Sequence, residues 1–307
     1  MQTFLIKTVT RLRPQRGQVM VFAAIGMVGI CGMAGFSIDV ASWYQTHRKV
    51  QSVADAAALA AVKNLPGQQS QATSDANTYA GKNSGTLSTI SYSTKYMSGD
   101  TITVTSSATA PAYFLKVLGI NAANVAATAT ATAENLQTAT GAMPFGVINT
   151  QPQLSGSGCP CYGVSTSLSL GKVGPGGFGI INIDGSRGGT GPGTLASWIQ
   201  NGCSCSQSAP VWLYSDPGAK FNSSQVQGAM NAMIGHDLLF PVYDSTQGNG
   251  ANLQYHVIGW SAFHLTAWSA QGNSATMTGY FTKVDWAGGG TTSTSNYFGA
   301  TTSVLSG

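Results

Sequence analysis

The run from Gln18 to Ile38 constrains this chain most, because it contains twenty-one consecutive residues without a charge. It reads QVMVFAAIGMVGICGMAGFSI, and only Gln18 and Ser37 have strongly polar side chains. A helix rises about 1.5 Å per residue, so a run of this length matches the hydrocarbon core of a bilayer, which is roughly 30 Å thick. We therefore predict a transmembrane helix over residues 18–38.

The charges that precede this run are all of one sign. Basic residues occur at Lys7, Arg11, Arg13 and Arg16, and no acidic residue occurs among the first thirty-eight. Because basic flanks are retained on the cytoplasmic side of a membrane, residues 1–17 are predicted to be a cytoplasmic leader, with the rest of the chain on the other side. A cleaved secretory signal has an apolar region of only about 7–15 residues, so we expect a single-pass anchor instead.

The segment after the apolar run has the pattern of a second helical stretch. No proline or glycine occurs from Val40 to Leu65. Apolar residues recur there at intervals of three, four and seven, at Trp43, Val50, Ala54, Ala57 and Ala61. This spacing predicts an amphipathic helix over residues 39–65 that continues the membrane span and stops before Pro66-Gly67.

Several N-terminal motifs together resemble a known family. They are Arg16-Gly17-Gln18, Ile38-Asp39-Val40, Arg48-Lys49, Val50-Gln51 and the stretch ADAAALAA from Ala54 to Ala61. With the apolar run between them, they are similar to the N-terminal module of TadE/TadG-like proteins of the bacterial Flp (tight-adherence) pilus machinery. The resemblance covers about the first sixty-five residues. It implies a pilin-like helix in the bacterial inner (cytoplasmic) membrane, with a periplasmic or extracellular C-terminal domain.

The same resemblance implies partners and raises the question of processing. The expected partners are other pilus assembly or pseudopilin subunits, met through the membrane helix, and the lipid of the inner membrane. Prepilin peptidases cut after a glycine and usually require glutamate at the fifth position of the mature chain. A cut between Gly17 and Gln18 would place Phe22 at that position. We therefore expect the leader to be retained.

Residues 66–141 have the pattern of a small α+β module. A short helix is predicted near 74–80, and residues 88–96 and 101–110 alternate Ser or Thr with larger apolar residues around Ser98-Gly99-Asp100, which predicts a β-hairpin. A third strand is predicted over 121–134. Between the second and third strands, Pro111 begins a short apolar helix. Its apolar residues are expected to pack in the core, and they are Tyr113, Phe114, Val117 and Leu118.

Residues 142–290 are predicted to form a β-rich extracytoplasmic domain. Strands are expected at 144–148, 178–184, 239–243, 253–268 and 274–286, and helices at 194–200 and 223–234. The last two strands flank Gln271-Gly272-Asn273, a hairpin signal. The Gly/Thr/Ser-rich residues 291–307 are expected to be a flexible tail. The predicted fold class is thus α+β, with a long N-terminal transmembrane (pilin-like) helix, a small α+β module and a β-rich domain.

Four cysteines beyond the span form two CxC pairs, Cys159/Cys161 and Cys203/Cys205. Four cysteines allow three pairings. Because closing a ring within CxC is strained, two bridges that link the pairs are the favoured hypothesis, and each would contribute about 3–4 kcal/mol in the chain-entropy model. A zinc site with four cysteine ligands is the alternative, although such sites usually have CxxC spacing and suit reducing compartments.

Composition and motifs argue against several function classes. Charged residues make up 8% of the chain, against about 25% in an ordinary soluble domain. Beyond the leader, ten basic residues balance ten acidic ones, which gives no electrostatic basis for binding nucleic acid. Residues 174–179 match GxGxxG, but a strand is predicted after them. His256 and His264 lie about 26 Å apart on one predicted strand, too far to share a metal. We predict no enzyme activity, no cofactor, no metal site and no small-molecule substrate.

Two hypotheses about function follow. The first is a membrane-anchored, pilin-like component of the Flp/Tad pilus assembly and secretion apparatus, with a structural or assembly role. The second is a surface adhesin or ligand-binding module carried on a pilin-like membrane stalk. The two hypotheses differ in whether the C-terminal domain or the membrane helix carries the function.

Overall fold

The structure, a computed structural model, describes residues 16–155, 161–171, 176–216, 218, 220–271, 274–286, 290–292 and 297–306. Its first element is α1 (Arg16–Val62), a continuous helix of 47 residues. The prediction that the apolar run and the amphipathic segment form one helical rod is therefore confirmed. The backbone is helical through Gly17 and Gln18, and a turn follows α1 before Pro66.

The remaining elements follow in chain order. The helices are α2 (Gln69–Lys82), α3 (Pro152–Ser155), α4 (Pro192–Asn201) and α5 (Ser224–Ala232), with 3₁₀ turns at Leu115–Leu118 and Gly250–Asn252. The strands are β1 (Leu87–Ser93), β2 (Thr101–Pro111), β3 (Ala122–Thr140), β4 (Phe145–Ile148), β5 (Ser165–Leu170), β6 (Gly177–Ile180), β7 (Ser206–Ser208), β8 (Val211–Tyr214), β9 (Asp237–Gln247), β10 (Gln254–Gln271), β11 (Ser274–Thr282), β12 (Val284–Asp285), β13 (Gly290–Thr292) and β14 (Ala300–Ser306).

The first sheet packs beneath the C-terminal half of α1. Its strand order is β1-β2-β3-β14-β12, with β7 and β13 also paired to β3. Small residues of α1 form this contact. Ala54, Ala57 and Ala61 pack, together with α2, against the inner face of β2 and β3. Alanine at these positions lets a helix approach a sheet closely. The predicted hairpin of β1 and β2 is confirmed as an antiparallel pair.

Threonines line the outer face of the same sheet in register. The hydroxyls of Thr101 and Thr132 lie 3.1 Å apart, and the Thr103–Thr130 and Thr105–Thr128 pairs each lie 3.0 Å apart. Cross-strand hydroxyl pairs of this kind stabilise a sheet by a few tenths of a kcal/mol to about 1 kcal/mol each. The alternation of threonine with apolar residues in the sequence thus corresponds to two faces, one rich in hydroxyl groups and one apolar.

The second sheet closes on itself. Its order within the described residues is β11-β5-β6-β4-β9-β10-β8, and β10 also pairs with β11, so six of these strands form a ring. The interior contains a cluster of aromatic rings. Phe145 lies edge-on to Phe178 and Phe240, with ring centroids 5.6 and 5.7 Å away. Helices α4 and α5 contribute apolar side chains to the same cluster. The β-rich character predicted for this region is confirmed.

The second sheet, which we call the barrel because six of its strands form a ring, shares a core with the first sheet. The indole N–H of Trp260 donates to the carbonyl of Gln137 at 3.0 Å, and that of Trp286 donates to Thr140 at 2.9 Å. A buried cluster that includes Leu136, Tyr243 and Ala300 lies between the sheets. Because β3 extends to Thr140 and pairs with strands from beyond residue 142, the C-terminal part of the chain completes the sheet of the N-terminal module.

The expectation of a flexible tail was wrong for its last residues. Residues 300–306 form β14, which pairs antiparallel with β3 from Thr301 opposite Asn135 to Ser306 opposite Thr130. The composition of the tail favours loops, but strand pairing needs only an open edge, and β3 supplies one. The turn predicted at Gln271-Gly272-Asn273 lies partly outside the described residues, and its flanking strands β10 and β11 pair antiparallel as expected.

Candidate membrane-anchoring site

Helix α1 is divided into an uncovered half and a covered half. From Val19 to Ile38 its side chains are exposed except at Gly35, and large apolar residues such as Val28 are 73% exposed. From Val50 onward the helix buries one face in the core that lies between α1 and the first sheet. Among the described residues, α1 is the one helix long and apolar enough to cross a membrane. An apolar helix surface of this size is unfavourable in water, so its natural surroundings are lipid or other helices.

Asp39 ends the uncovered half and is fully buried. Its carboxylate accepts three backbone hydrogen bonds from the loop between β2 and β3. The donors are the amides of Tyr113 at 2.6 Å, Phe114 at 3.0 Å and Leu115 at 2.7 Å. The residues are more than seventy positions apart in the chain, so the contact joins α1 to the far end of a hairpin. We call residues 112–120 the tip loop.

The net electrostatics of this contact favour the charged carboxylate. Burial by itself raises the pKa of Asp39, but the hydrogen bonds from Tyr113, Leu115 and Phe114 and the nearby charge of Lys116 hold the pKa below its ordinary value. Asp39 therefore acts as an ionised cap on the N–H groups that begin the 3₁₀ turn of the tip loop.

The tip loop is apolar and exposed, which contradicts the prediction that it packs in the core. Val117 is 89% exposed and Leu118 is 75% exposed, and Tyr113 and Phe114 are also exposed. The reason is geometric. Helices α1 and α2 already cover the inner face of the first sheet, and the tip loop projects beyond the ends of β2 and β3, beside α1. A pattern of apolar residues identifies a face that avoids water, but it does not say what covers that face.

Gly35 allows the tip loop to lie against α1. A Cβ atom at Gly35 would fall 2.6 Å from Cγ and 2.9 Å from Cβ of Phe114, closer than real contacts allow. By contrast, an added Cβ at Gly26, Gly29 or Gly32 would meet nothing within 4 Å. Of these four glycines, Gly35 is the one that the structure uses for a close approach.

The cysteines do not pair as predicted. Cys203 and Cys205 form a disulfide with each other, so the hypothesis of two bridges between the CxC pairs is wrong. Gly202, with a φ of 70°, abuts Gly141 at the end of β3 and turns the chain so that Cys203 enters the core between the sheets. Cys161 is also disulfide-bonded, and Cys159 lies outside the described residues.

The histidine–aspartate pairs lie apart on the barrel surface. Nδ1 of His256 is 2.8 Å from Asp244, and Nδ1 of His264 is 2.7 Å from Asp237. Both histidines are on β10, as predicted. The ring of His264 stacks on that of Tyr280, and the ring of His256 lies 4.7 Å from that of Trp212 at an angle of 32°. In the described part of the chain, no cluster of three or more His, Cys, Asp or Glu side chains is arranged to bind a metal ion.

Sequence reasoning identified the span but missed the partner of Asp39. A lone acid after an uncharged run and a loop of bulky apolar residues were both visible. No spacing rule connects them, because the connection is made by the fold of the hairpin between them.

The fold and this site define a class: a single apolar N-terminal helix that carries a β-rich folded part at one end fits a single-pass membrane protein. A family model then gives a more particular similarity. Residues 17–64 match the family described as "Putative Flp pilus-assembly TadE/G-like", which confirms the resemblance of the N-terminal module. Proteins of this family are generally not enzymes. No match was found among curated proteins or among solved structures.

Proposed function

We propose that this protein is a membrane-anchored, pilin-like structural component of the Flp (tight-adherence) pilus assembly and secretion apparatus. The observation that carries the proposal is the position of the family match, because residues 17–64 coincide with α1 from its start to its end in the module core. The uncovered half of α1 is available to lipid and to other subunits. The covered half fastens the folded part of the chain to it.

The proposed orientation places the N-terminus in the cytoplasm and the folded part outside it. Lys7, Arg11 and Arg13 precede the span, whereas the chain beyond it is close to neutral, and this asymmetry favours N-terminal retention. In spheroplasts, protease added outside should digest the folded part and spare an epitope tag fused to the N-terminus. Protection of the whole chain, or release of the whole chain into the soluble fraction, would contradict this orientation.

The uncovered half of α1 also supports a role in assembly through helix contacts. The open space around Gly26, Gly29 and Gly32 leaves room for a neighbouring helix to approach. We infer that other pilus assembly or pseudopilin subunits are the partners there. Because Phe22 stands where prepilins carry glutamate, the leader should be retained, and the intact mass of the purified protein should include residues 1–17.

The experiment that tests the function is deletion of the chain in its host. Loss of surface filaments in electron micrographs, restored by the full-length chain, is expected. Complementation with a chain whose residues 19–34 are replaced by an unrelated leucine-rich sequence, which leaves Gly35 and its contact with Phe114 in place, should restore membrane insertion but not filaments. Normal filaments in the deletion strain would contradict the proposal.

A surface adhesin is the second candidate, and an exposed aromatic pair on the barrel favours it. Trp212 is 39% exposed and its ring lies 4.7 Å from that of His256. Removing residues 142–307 is not a clean test, because β14 and β13 complete the sheet that contains β3. The double substitution Trp212→Ser and His256→Ser removes the aromatic pair, together with the contact of His256 to Asp244, and leaves β13 and β14 in place. Lost surface adhesion with intact filaments would favour the adhesin hypothesis.

A further inference from the structure

We propose that the tip loop is a second membrane-contacting element, whose apolar side chains insert among the acyl chains of the leaflet that faces the folded part of the protein. The proposal goes beyond the pilus role and rests only on α1 crossing a bilayer. The loop contacts lipid, and this contact would fix the protein to the membrane at a second point beside the anchor.

The first support is the position of the loop along α1. Together they line an apolar groove of about 930 Å³, whose walls are Met27, Val28 and Cys31 on the helix and Val117 and Leu118 on the loop. Val28 lies eleven residues before Asp39, which corresponds to a depth of roughly 16 Å along a helix. If residues 18–38 span the bilayer, the loop side chains that share the groove lie at the level of acyl chains and not of water.

The second support is that most backbone amides of the loop are paired within the protein. Hydrocarbon offers no hydrogen-bond partners, so irregular backbone enters it only when its polar groups are paired within the protein. Three amides of the tip loop donate to the Asp39 carboxylate, and three more donate to carbonyls of the loop itself. These six amides belong to Tyr113, Phe114, Leu115, Val117, Gly119 and Ile120. An exposed loop in water would not need such pairing.

The third support is the distribution of polarity within the loop. Lys116 is the one charged residue from Tyr113 to Ile120. A lysine at the membrane boundary extends its aliphatic stem along lipid and places its ammonium group among headgroups, and a tyrosine such as Tyr113 favours the same interfacial level. Apart from α1, this loop carries the longest run of exposed large apolar side chains among the described residues.

A water-facing apolar loop could instead be covered by a second copy of the chain. Continuity with the span favours lipid, because one wall of the groove is the membrane helix itself. At Gly35 the surface of α1 is already occupied by Phe114, so a neighbouring helix cannot pack closely there. Coverage by a second copy is therefore an outcome that the experiment must separate.

The test measures depth at single positions in the full-length protein. In a Cys31→Ser background and without reductant, an environment-sensitive fluorophore is attached at Val117→Cys, Leu118→Cys or Lys116→Cys, and the protein is reconstituted in vesicles of phosphatidylethanolamine and phosphatidylglycerol. Val28→Cys in the span and Val164→Cys on the barrel surface, where the side chain is 50% exposed, serve as matched controls. Nitroxide lipids probe contact with acyl chains, and iodide probes contact with water.

Labels at 117 and 118 are expected to resemble the label at 28, with strong quenching by nitroxide lipids and little by iodide. The label at 116 should be quenched best by nitroxides near the headgroup, and the label at 164 by iodide. The proposal is overturned if 117 and 118 resemble 164 while 28 remains lipid-quenched, which would leave the anchor intact. It is also overturned if labels at 117 are shielded from both quenchers and cysteines at 117 cross-link between copies. Iodide quenching at 28 would instead contradict the membrane anchor, and with it the proposed function.

Discussion

Nζ of Lys283 lies 3.1 Å from the carbonyl oxygen of Asn64. This lysine, between β11 and β12, therefore donates to the backbone just after the C-terminal end of α1. The same ammonium group also donates to the carbonyl of Pro66. Cations are favourable at the C-terminal ends of helices, where carbonyls lack partners. The barrel is thereby attached to the end of α1 that lies farthest from its uncovered apolar half.

Replacing Lys283 should change how stability depends on pH. Burial lowers the pKa of Lys283 to about 8, below its ordinary value of 10.5. Between these two values the unfolded chain binds more protons than the folded chain, so the free energy of unfolding should rise as pH increases. Urea unfolding in detergent should show a higher midpoint for wild type at pH 9.5 than at pH 7.5, and Lys283→Met should lack this part of the rise.

The matched control is Lys82→Met, which removes an exposed lysine at the end of α2. Its pH dependence should follow that of wild type. At neutral pH, Lys283→Met removes the donor to the carbonyls of Asn64 and Pro66 but also removes the cost of burying the ammonium group, so stability should fall by less than about 1–3 kcal/mol. An identical pH response in all three proteins would contradict the role of Lys283.

Replacing Asp39 should release the tip loop from α1. In Asp39→Ala the amides of Tyr113, Phe114 and Leu115 lose their acceptor, so their hydrogen exchange should accelerate strongly. Exchange in β2 and β3 near Thr103 and Thr130 should change little. Asp39→Asn keeps one acceptor oxygen and should show an intermediate rate. Mass-spectrometric exchange of the protein in nanodiscs measures these rates.

Asp55→Asn provides the comparison for the charge change. Asp55 is on the same helix and accepts a hydrogen bond from Gln51 at 2.7 Å, without contact to the tip loop. This variant should leave exchange in residues 113–115 at the wild-type rate. Equal exchange in Asp39→Ala and wild type would show that the carboxylate does not hold the loop.

The disulfide of Cys203 and Cys205 predicts a specific peptide map. Trypsin cuts after Lys172 and Arg187, which places the two CxC pairs in separate peptides. Without reductant, the peptide that contains Cys203 should run alone and be lighter by two hydrogen atoms than after reduction. A single linked peptide that contains both pairs would restore the hypothesis of bridges between them. Free thiols at 203 and 205 would contradict both pairings.

Removing the last strand should destabilise the folded part as a whole. β14 pairs with β3 along Thr301–Ser306 and lies at the cluster between the sheets through Ala300. Deletion of residues 299–307 should therefore expose the β3 edge, lower the thermal midpoint and increase proteolysis within both sheets. Deletion of Gly307 alone should have no effect. A truncated protein as stable as wild type would mean that β14 contributes nothing to the core.

The secondary structure of the N-terminal part of the chain depends on local sequence and could therefore be predicted. A helix depends on neighbouring residues, so the uncharged run, the absence of glycine and proline from Val40 to Leu65 and the alanine stripe were sufficient to predict α1. The hairpin of β1 and β2 is local for the same reason. The family match falls on this same part of the chain.

Only the tertiary structure decided which distant residues meet. The strand β14 was hidden because the Gly/Ser/Thr-rich tail shows no regular strand pattern, and its last residues pair only where the open edge of β3 accepts them. Cys203 and Cys205 pair with each other beside the close contact of Gly202 with Gly141, a contact that no spacing reveals. The tip loop was assigned to the core because apolar side chains avoid water, but the apolar pattern of a short loop does not say what covers it. Asp39 and Tyr113 meet because the fold of the hairpin carries the tip loop back to α1, where a buried carboxylate needs donors.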